Sequence, residues 1–276
     1  FFQAQDAIRD SVASRGLGDV YKRQVDVYNN KTNEYKLLNY SVFISFFPQL
    51  IAGPIVYHSE VKKQYSNLSI LKEKYSNFSV GICIFILGLF KKVVIADSFA
   101  IFADIGYASV STLSTVMAWV ISLSYTMQLY FDFSGYSDAA IGIAMMIGIY
   151  IPANFNSPYQ SLSIIEFWQR WHISLSNFIT TYLYTPLVRS FNKITFNKAM
   201  LATLIAMIIV GVWHGSTINF VIFGFLHGVG LVLNNYWKKK IKIKLPNLLA
   251  WFLTFIYLNL TFVFFRADSL LSLIHI

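Results

Sequence analysis

The chain is short of nearly everything that marks soluble catalytic chemistry. Its 276 residues include one cysteine, Cys83, placed inside an apolar run. A lone thiol excludes an internal disulfide, a CxxC redox pair and a thiolate metal cluster. The five histidines include no i,i+4 pair and no HExxH, and no acidic cluster accompanies them, so no metal ligand set is expected. GxSxG, Walker A and GxGxxG patterns are missing. Charged residues make up only 13%, about half the usual globular fraction. There is neither an internal repeat nor a Gly/Ser linker, and one domain is the economical reading.

What is abundant is apolar and aromatic. Hydrophobic residues reach 56%, with 25 Phe and 17 Tyr, and mean hydropathy is +0.54. This predicts an integral membrane protein of the all-α class, its partner the lipid bilayer. The net charge of +9 does not signal nucleic acid. The bases fall in short clusters at the ends of apolar segments (Lys62-Lys63, Lys91-Lys92, Lys238-Lys239-Lys240), as the positive-inside bias of membrane proteins requires. Residues 78–90 lead apolar into Lys91-Lys92. Residues 116–133 read as a span that ends near a Ser134–Asp138 break, with 139–151 continuing beyond it. Residues 247–265 form the last span, closing at Arg266 and Asp268. Residues 40–56 are interrupted by Pro48, Gly53 and Pro54 and are expected to be re-entrant or kinked; 58–77 are expected to lie amphipathic on the surface. Residues 1–24 are polar with charges of both signs and lack an apolar signal-peptide core. They resemble translated adapter sequence, and 271–276 (LSLIHI) resemble its matching tail. The expectation is a membrane domain over 25–270, incomplete at both ends, with both tails outside functional reasoning.

His214, in VWHG (212–215), stands between two apolar runs, 199–211 and 219–236. An ionisable group so flanked is costly in lipid and reads as functional by default; the plain alternative is a neutral imidazole hydrogen-bonded between packed helices. Lys193 and Lys198 precede the pair and Lys238–Lys244 follow it, so both ends of this hairpin are expected on the cytoplasmic side. From Ala199 to Trp213 an α-helix covers about 22 Å, short of the roughly 30 Å hydrocarbon core, which places His214 deep in the protein. His227 follows 13 residues later, and on one unbroken helix it would face nearly the opposite way. Gly215-Ser216 relaxes that constraint, yet His227 is the weaker candidate to share a site.

Residues 167–176 (FWQRWHISLS) read as a short amphipathic helix. Glu166 and Arg170 are spaced for an ion pair. Trp168 and His172, also four apart, would share an inward face with Trp171 nearby, while the plain reading puts the tryptophans at the headgroup level. Asp132 and Asp138 bracket a possible polar cavity or cation path; capping of 139–151 by Ser137 or Asp138 is the plain account of one of them.

Four segments then carry a resemblance: FFPQLIAGPI (46–55), YFDFSGYSDAAIG (130–142), NFNSPYQSLSIIEFWQRWHISLS (154–176) and GVWHGSTINFVIFGFLHG (211–228), with LNLTFVFFRADS (258–269) in support. In order and over nearly all of 25–269, they resemble the membrane-bound O-acyltransferase (MBOAT) family, in its bacterial, alginate O-acetyltransferase-like branch. The resemblance implies a bowl of many helices with a central tunnel in a bacterial inner membrane. It puts the family's catalytic histidine on His214 and the second functional histidine of the branch on His172. Trp213, Trp168, Trp171, Arg170, Asp132, Asp138, Ser176 and His227 are weaker candidates for lining or supporting the tunnel. Asn219 departs from the usual pattern, standing where an aromatic is common, as does 188–193, where a Gly-rich loop is often found; both bear on acceptor specificity.

The resemblance further implies no tightly bound cofactor, an acyl donor such as acetyl-CoA or another acyl thioester, and a polysaccharide acceptor reached directly or through a periplasmic acetyltransferase-like partner. D-alanyl transfer to teichoic acid from an acyl carrier protein is the sister reading. The chemistry suits a histidine, since removing a hydroxyl proton during attack needs a base whose reference pKa of about 6.5 lies near neutrality. From another class, an ion or proton transporter would use Asp132, Asp138 and the histidines as its path, and a structural scaffold would need none of them.

Overall fold

The computed structural model describes residues 41, 43, 45–49, 53–56, 64 and 74–267, and these contain helices and no strand. The helices are α1 (Lys74–Leu89), α2 (Asp97–Ala108), α3 (Thr115–Met146), α4 (Ile164–Arg170), α5 (Ile173–Ile179), α6 (Thr185–Arg189), α7 (Phe196–His214), α8 (Ile218–Tyr236) and α9 (Asn247–Arg266). Four stretches among the described residues are long and apolar enough to cross a membrane: Tyr75–Ala108, Phe196–His214, Ile218–Ile241 and Asn247–Arg266. With backbone polar groups satisfied inside each helix, as lipid demands, the protein is a multi-pass integral membrane protein. The expected tails at 1–24 and 271–276 and most of 58–77 lie outside the described residues, as do 40, 42, 44 and 50–52 of the 40–56 segment.

Two sequence expectations are overturned here. Lys91-Lys92 do not end a segment: the helix runs on through a π-helical stretch, Phe90–Ala96, into α2. Nor does the chain break at Ser134–Asp138, because α3 is continuous for 32 residues. It carries Ser122, Ser124, Thr126, Gln128 and Asp132, and it is not among the four apolar spans. The reason lies in what each group meets. Lys91 Nζ lies 2.5 Å from Asp138 Oδ2, so each charge has its partner within the helices and Asp138 caps nothing. Gly135 is no hinge: a Cβ there would lie 2.7 Å from the Gly88 carbonyl, and one at Gly142 would lie 2.6 Å from that of Gly81. Glycines seven apart on α1 and on α3 thus form an antiparallel seam that brings backbones together, as in small-residue packing of membrane helices.

Two compact units divide the described residues, one holding those up to Lys92 with Phe133–Asn154, the other Val93–Asp132 with those from Phe155 onward. The first has its own apolar core of Phe43, Phe46, Val56, Ala140, Ala144, Ile149 and Ile151. The second is organised on the α7–α8 hairpin. Gly211 and Gly224 let these helices touch, since a Cβ on Gly211 would fall 2.2 Å from the Phe220 carbonyl. At the hairpin's open end Lys239 Nζ sits 3.8 Å from the Phe196 ring centroid and Tyr236 donates to Asn197 Oδ1. The two ends of the hairpin therefore meet among the lysines, as the sequence predicted, and His214 lies at the other end. α7 is 19 residues long, about 28 Å, longer than the 199–213 estimate because the helix starts at Phe196 behind the Thr195 cap. Against the hairpin lies α9, tied to α3 by a buried polar ladder. Ser122 Oγ donates to Asn259 Oδ1, whose Nδ2 donates to Thr126 Oγ1.

Candidate active site

The segment expected as one helix over 167–176 is two, and the difference falls at the candidate histidine. α4 starts at Ser163, whose hydroxyl accepts from the Glu166 backbone N–H while Glu166 Oε2 accepts from Leu162 N–H. The Glu166–Arg170 pair forms as the spacing predicted, 2.9 Å apart. The helix then stops. Trp171 is extended and His172 occupies the left-handed region at φ 43°, ψ 55°, before α5 resumes. A non-glycine residue rarely adopts this conformation, and it costs about 1–3 kcal/mol where it persists. The premise that Trp168 and His172 share a helical face therefore fails, although both are buried. His172 is 2% exposed; its ring stacks on Phe155 and its Nδ1 lies 3.5 Å from Ser174 Oγ.

His214 is the last residue of α7, half-buried, with Gly215 extended behind it. Aromatic rings wall it: Trp213 at 4.8 Å between centroids, Phe265 of α9 at 5.2 Å and Phe223 of α8 at 6.1 Å. Because the helix breaks at Gly215, His227 lies not further along the same helix but on the antiparallel partner, where Phe223 touches its ring at 4.5 Å.

His227 is fully buried and both its ring nitrogens are engaged. Trp168 Nε1–H donates to Nδ1 at 3.3 Å. Thr261 Oγ1, which donates its own proton to the Leu258 carbonyl, lies 3.0 Å from Nε2 and must therefore accept from it. These partners fix the neutral tautomer with the proton on Nε2. The arrangement ties α4, α8 and α9 together and leaves the ring no proton to exchange with a substrate. Losing the ring empties a fully buried space, so His227→Ala is expected to cost about 2–5 kcal/mol of stability. Thermal melting in detergent measures that loss, and the transfer rate per folded molecule should fall far less than for His214→Ala.

The remaining candidates are placed as follows. Trp168 serves His227; Trp171 stacks on Phe167 and Tyr159 and packs on Phe262. Arg170 is held by Glu166 and the Asn156 carbonyl, and the Ser176 hydroxyl donates to the Trp168 carbonyl across the α4–α5 break. Trp213 is half-buried beside His214. Asp132 is half-buried on α3, and Asp138 pairs with Lys91. An unbroken aromatic path, Phe155–Trp171–Phe262–Phe223, links the His172 ring to that of His214. The described residues contain no group of three or more His, Cys, Asp or Glu able to hold a metal ion. Sequence reasoning missed Phe223, Phe262 and Phe265, which form this wall, and Thr261, which anchors His227. The only signal for Phe262 and Phe265 was their aromatic i,i+3 spacing in FVFF; nothing set Phe223 apart, nor Thr261 from the other hydroxyls of its span, Thr254 and Tyr257.

The family model of MBOAT, the membrane-bound O-acyltransferase family, matches residues 19–274. A protein named peptidoglycan O-acetyltransferase from Helicobacter pylori is 49% identical over 85% of the chain and 45% of its own length. A probable alginate O-acetylase, AlgI, from Pseudomonas aeruginosa is 38% identical over 89% of the chain and 46% of its length. A teichoic acid D-alanyltransferase from Bacillus subtilis is 31% identical over 72% of the chain and 53% of its length. The chain spans about half the length of these curated relatives.

Proposed function

Given that the chain belongs to the membrane-bound O-acyltransferase family, we propose that the whole protein transfers an acetyl group to hydroxyls of a polysaccharide outside the bacterial inner membrane. The donor is acetyl-CoA or another cytoplasmic acyl thioester, and the acceptor receives the group directly or through a periplasmic partner. The observation that supports His214 as the base is its contrast with His227. His227 is sealed in the core with both nitrogens engaged, whereas His214 is half-buried at the end of a helix among aromatic rings.

In this reading His214 takes the proton of the attacking hydroxyl as its oxygen bonds to the thioester carbonyl carbon. The tetrahedral intermediate collapses, the C–S bond breaks, and the thiolate leaves to become a thiol with that proton. His172, buried and fixed by its turn, is the positioning or oxyanion-stabilising partner. Aromatic walls keep bulk water from competing with the hydroxyl.

The relative named for peptidoglycan supports a cell-wall glycan as acceptor, and those named for alginate an exopolysaccharide; the teichoic acid relative keeps D-alanyl transfer as the sister reading. The full-length protein in proteoliposomes, supplied with labelled acetyl thioester and a polysaccharide, is expected to consume thioester and form alkali-labile acetyl esters. D-alanyl esters would establish the sister reading. Ion flux without thioester consumption would establish a transporter and overturn the proposal.

A further inference from the structure

A buried acceptor is left unpaired among the described residues beside the His214 loop. Asn219 lies in the first turn of α8, five residues after His214, and is 3% exposed. Its Nδ2 donates to the Ala267 carbonyl at 2.7 Å. A carbonyl can only accept, so this bond fixes the amide orientation and leaves Oδ1 as the remaining group. Oδ1 is buried and has no hydrogen-bond partner among the described residues. Buried polar atoms are nearly always paired, and leaving one unpaired is costly, so an orphan calls for a physical reason.

Its surroundings supply one. Ala267 follows Phe265 and Arg266 at the end of α9, and the Phe265 ring packs both on His214 and on Phe220, the residue next to Asn219. The Phe220 ring in turn fills the space where a Cβ of Gly215 would sit, 2.3 Å away. Asn219 is thus built into the same end of the hairpin as His214, held by its amino group with its oxygen unspent.

We propose that Asn219 Oδ1 is a substrate-binding acceptor at the reaction centre, filled by an N–H or O–H donor of a reacting molecule. This rests on the acyltransferase reading above. The attacking hydroxyl has a single proton, which goes to the base, so the donor to Asn219 is a group that does not react. Two sources have that chemistry: a neighbouring hydroxyl of the polyol acceptor, and an amide N–H on the arm of the acyl thioester.

Two substitutions in the full-length protein separate this role from a structural one. Asn219→Val removes both polar atoms. Asn219→Asp is isosteric with asparagine: its carboxyl, protonated against the Ala267 carbonyl, keeps a donor at the Nδ2 position and the acceptor at the Oδ1 position. Asn219→Val is expected to lower kcat/KM by roughly 3- to 10-fold, the value of one neutral hydrogen bond, and Asn219→Asp to keep most of the wild-type value. A rise in KM confined to the polysaccharide assigns the donor to the acceptor hydroxyl; a rise confined to the thioester assigns it to the amide. Thermal melting in detergent is read alongside. Wild-type kcat/KM in Asn219→Val, or a loss accounted for wholly by a reduced folded fraction, would overturn the proposal. Absence of transfer by the wild-type protein would instead overturn the acyltransferase reading itself.

Discussion

Replacing His214 with alanine in the full-length protein is expected to lower acyl transfer by about 10²–10⁴-fold, the range for loss of a general base. Membrane insertion and expression should hold. The side chain ends α7 and is half-buried, so truncation opens less space than it would in the core. Its ring neighbours Trp213, Phe223 and Phe265 also contact or flank other groups; Phe265 still meets Phe220 and Phe223. The measurement is thioester-dependent ester formation on purified, folded variant protein, with melting temperature beside it. His227→Ala provides the contrast, with a large stability loss and a small rate loss. Near-normal transfer by His214→Ala would falsify the mechanism proposed here.

Much of this arrangement was legible in the residues, and each exception has a physical cause. The hairpin around His214 followed from two apolar runs bracketed by lysines, and its two ends do meet, with Phe196, Tyr236 and Lys239 in contact there. The Glu166–Arg170 pair followed from spacing alone. Local rules failed where a tertiary partner outweighed them. Gly135 marks a break by propensity, yet Gly88 needs its missing side chain for backbone contact, and α3 stays whole. Lys91-Lys92 mark a membrane boundary by charge, yet Asp138, 47 residues away, pairs with Lys91. The two helices at 164–179 were hidden because nothing in FWQRWHISLS breaks a helix: neither Gly nor Pro stands there, yet His172 takes a strained left-handed turn between them. The aromatic wall was hidden for the opposite reason. With 25 phenylalanines in the chain, Phe223, Phe262 and Phe265 are indistinguishable from lipid-facing neighbours until the helices are packed.

That strain separates chemistry from folding at the second histidine. Any substitution that removes the His172 imidazole should impair transfer, because in the proposed mechanism this ring positions or stabilises a reacting oxygen. Alanine and glycine both remove it and both leave a cavity at a site 2% exposed. They differ in backbone. Alanine must still hold φ 43°, ψ 55°, which glycine adopts without steric cost. His172→Gly should therefore be more stable than His172→Ala by about 1 kcal/mol, reversing the order seen where glycine only adds freedom to the unfolded chain. Both variants should lose transfer activity to a similar degree, by less than His214→Ala, since water can partly replace a positioning or oxyanion donor. Melting curves and initial rates on the same preparations check both parts. If glycine restored activity along with stability, His172 would be a structural turn residue. If alanine proved the more stable of the two, the left-handed turn would not be what sets the end of α4.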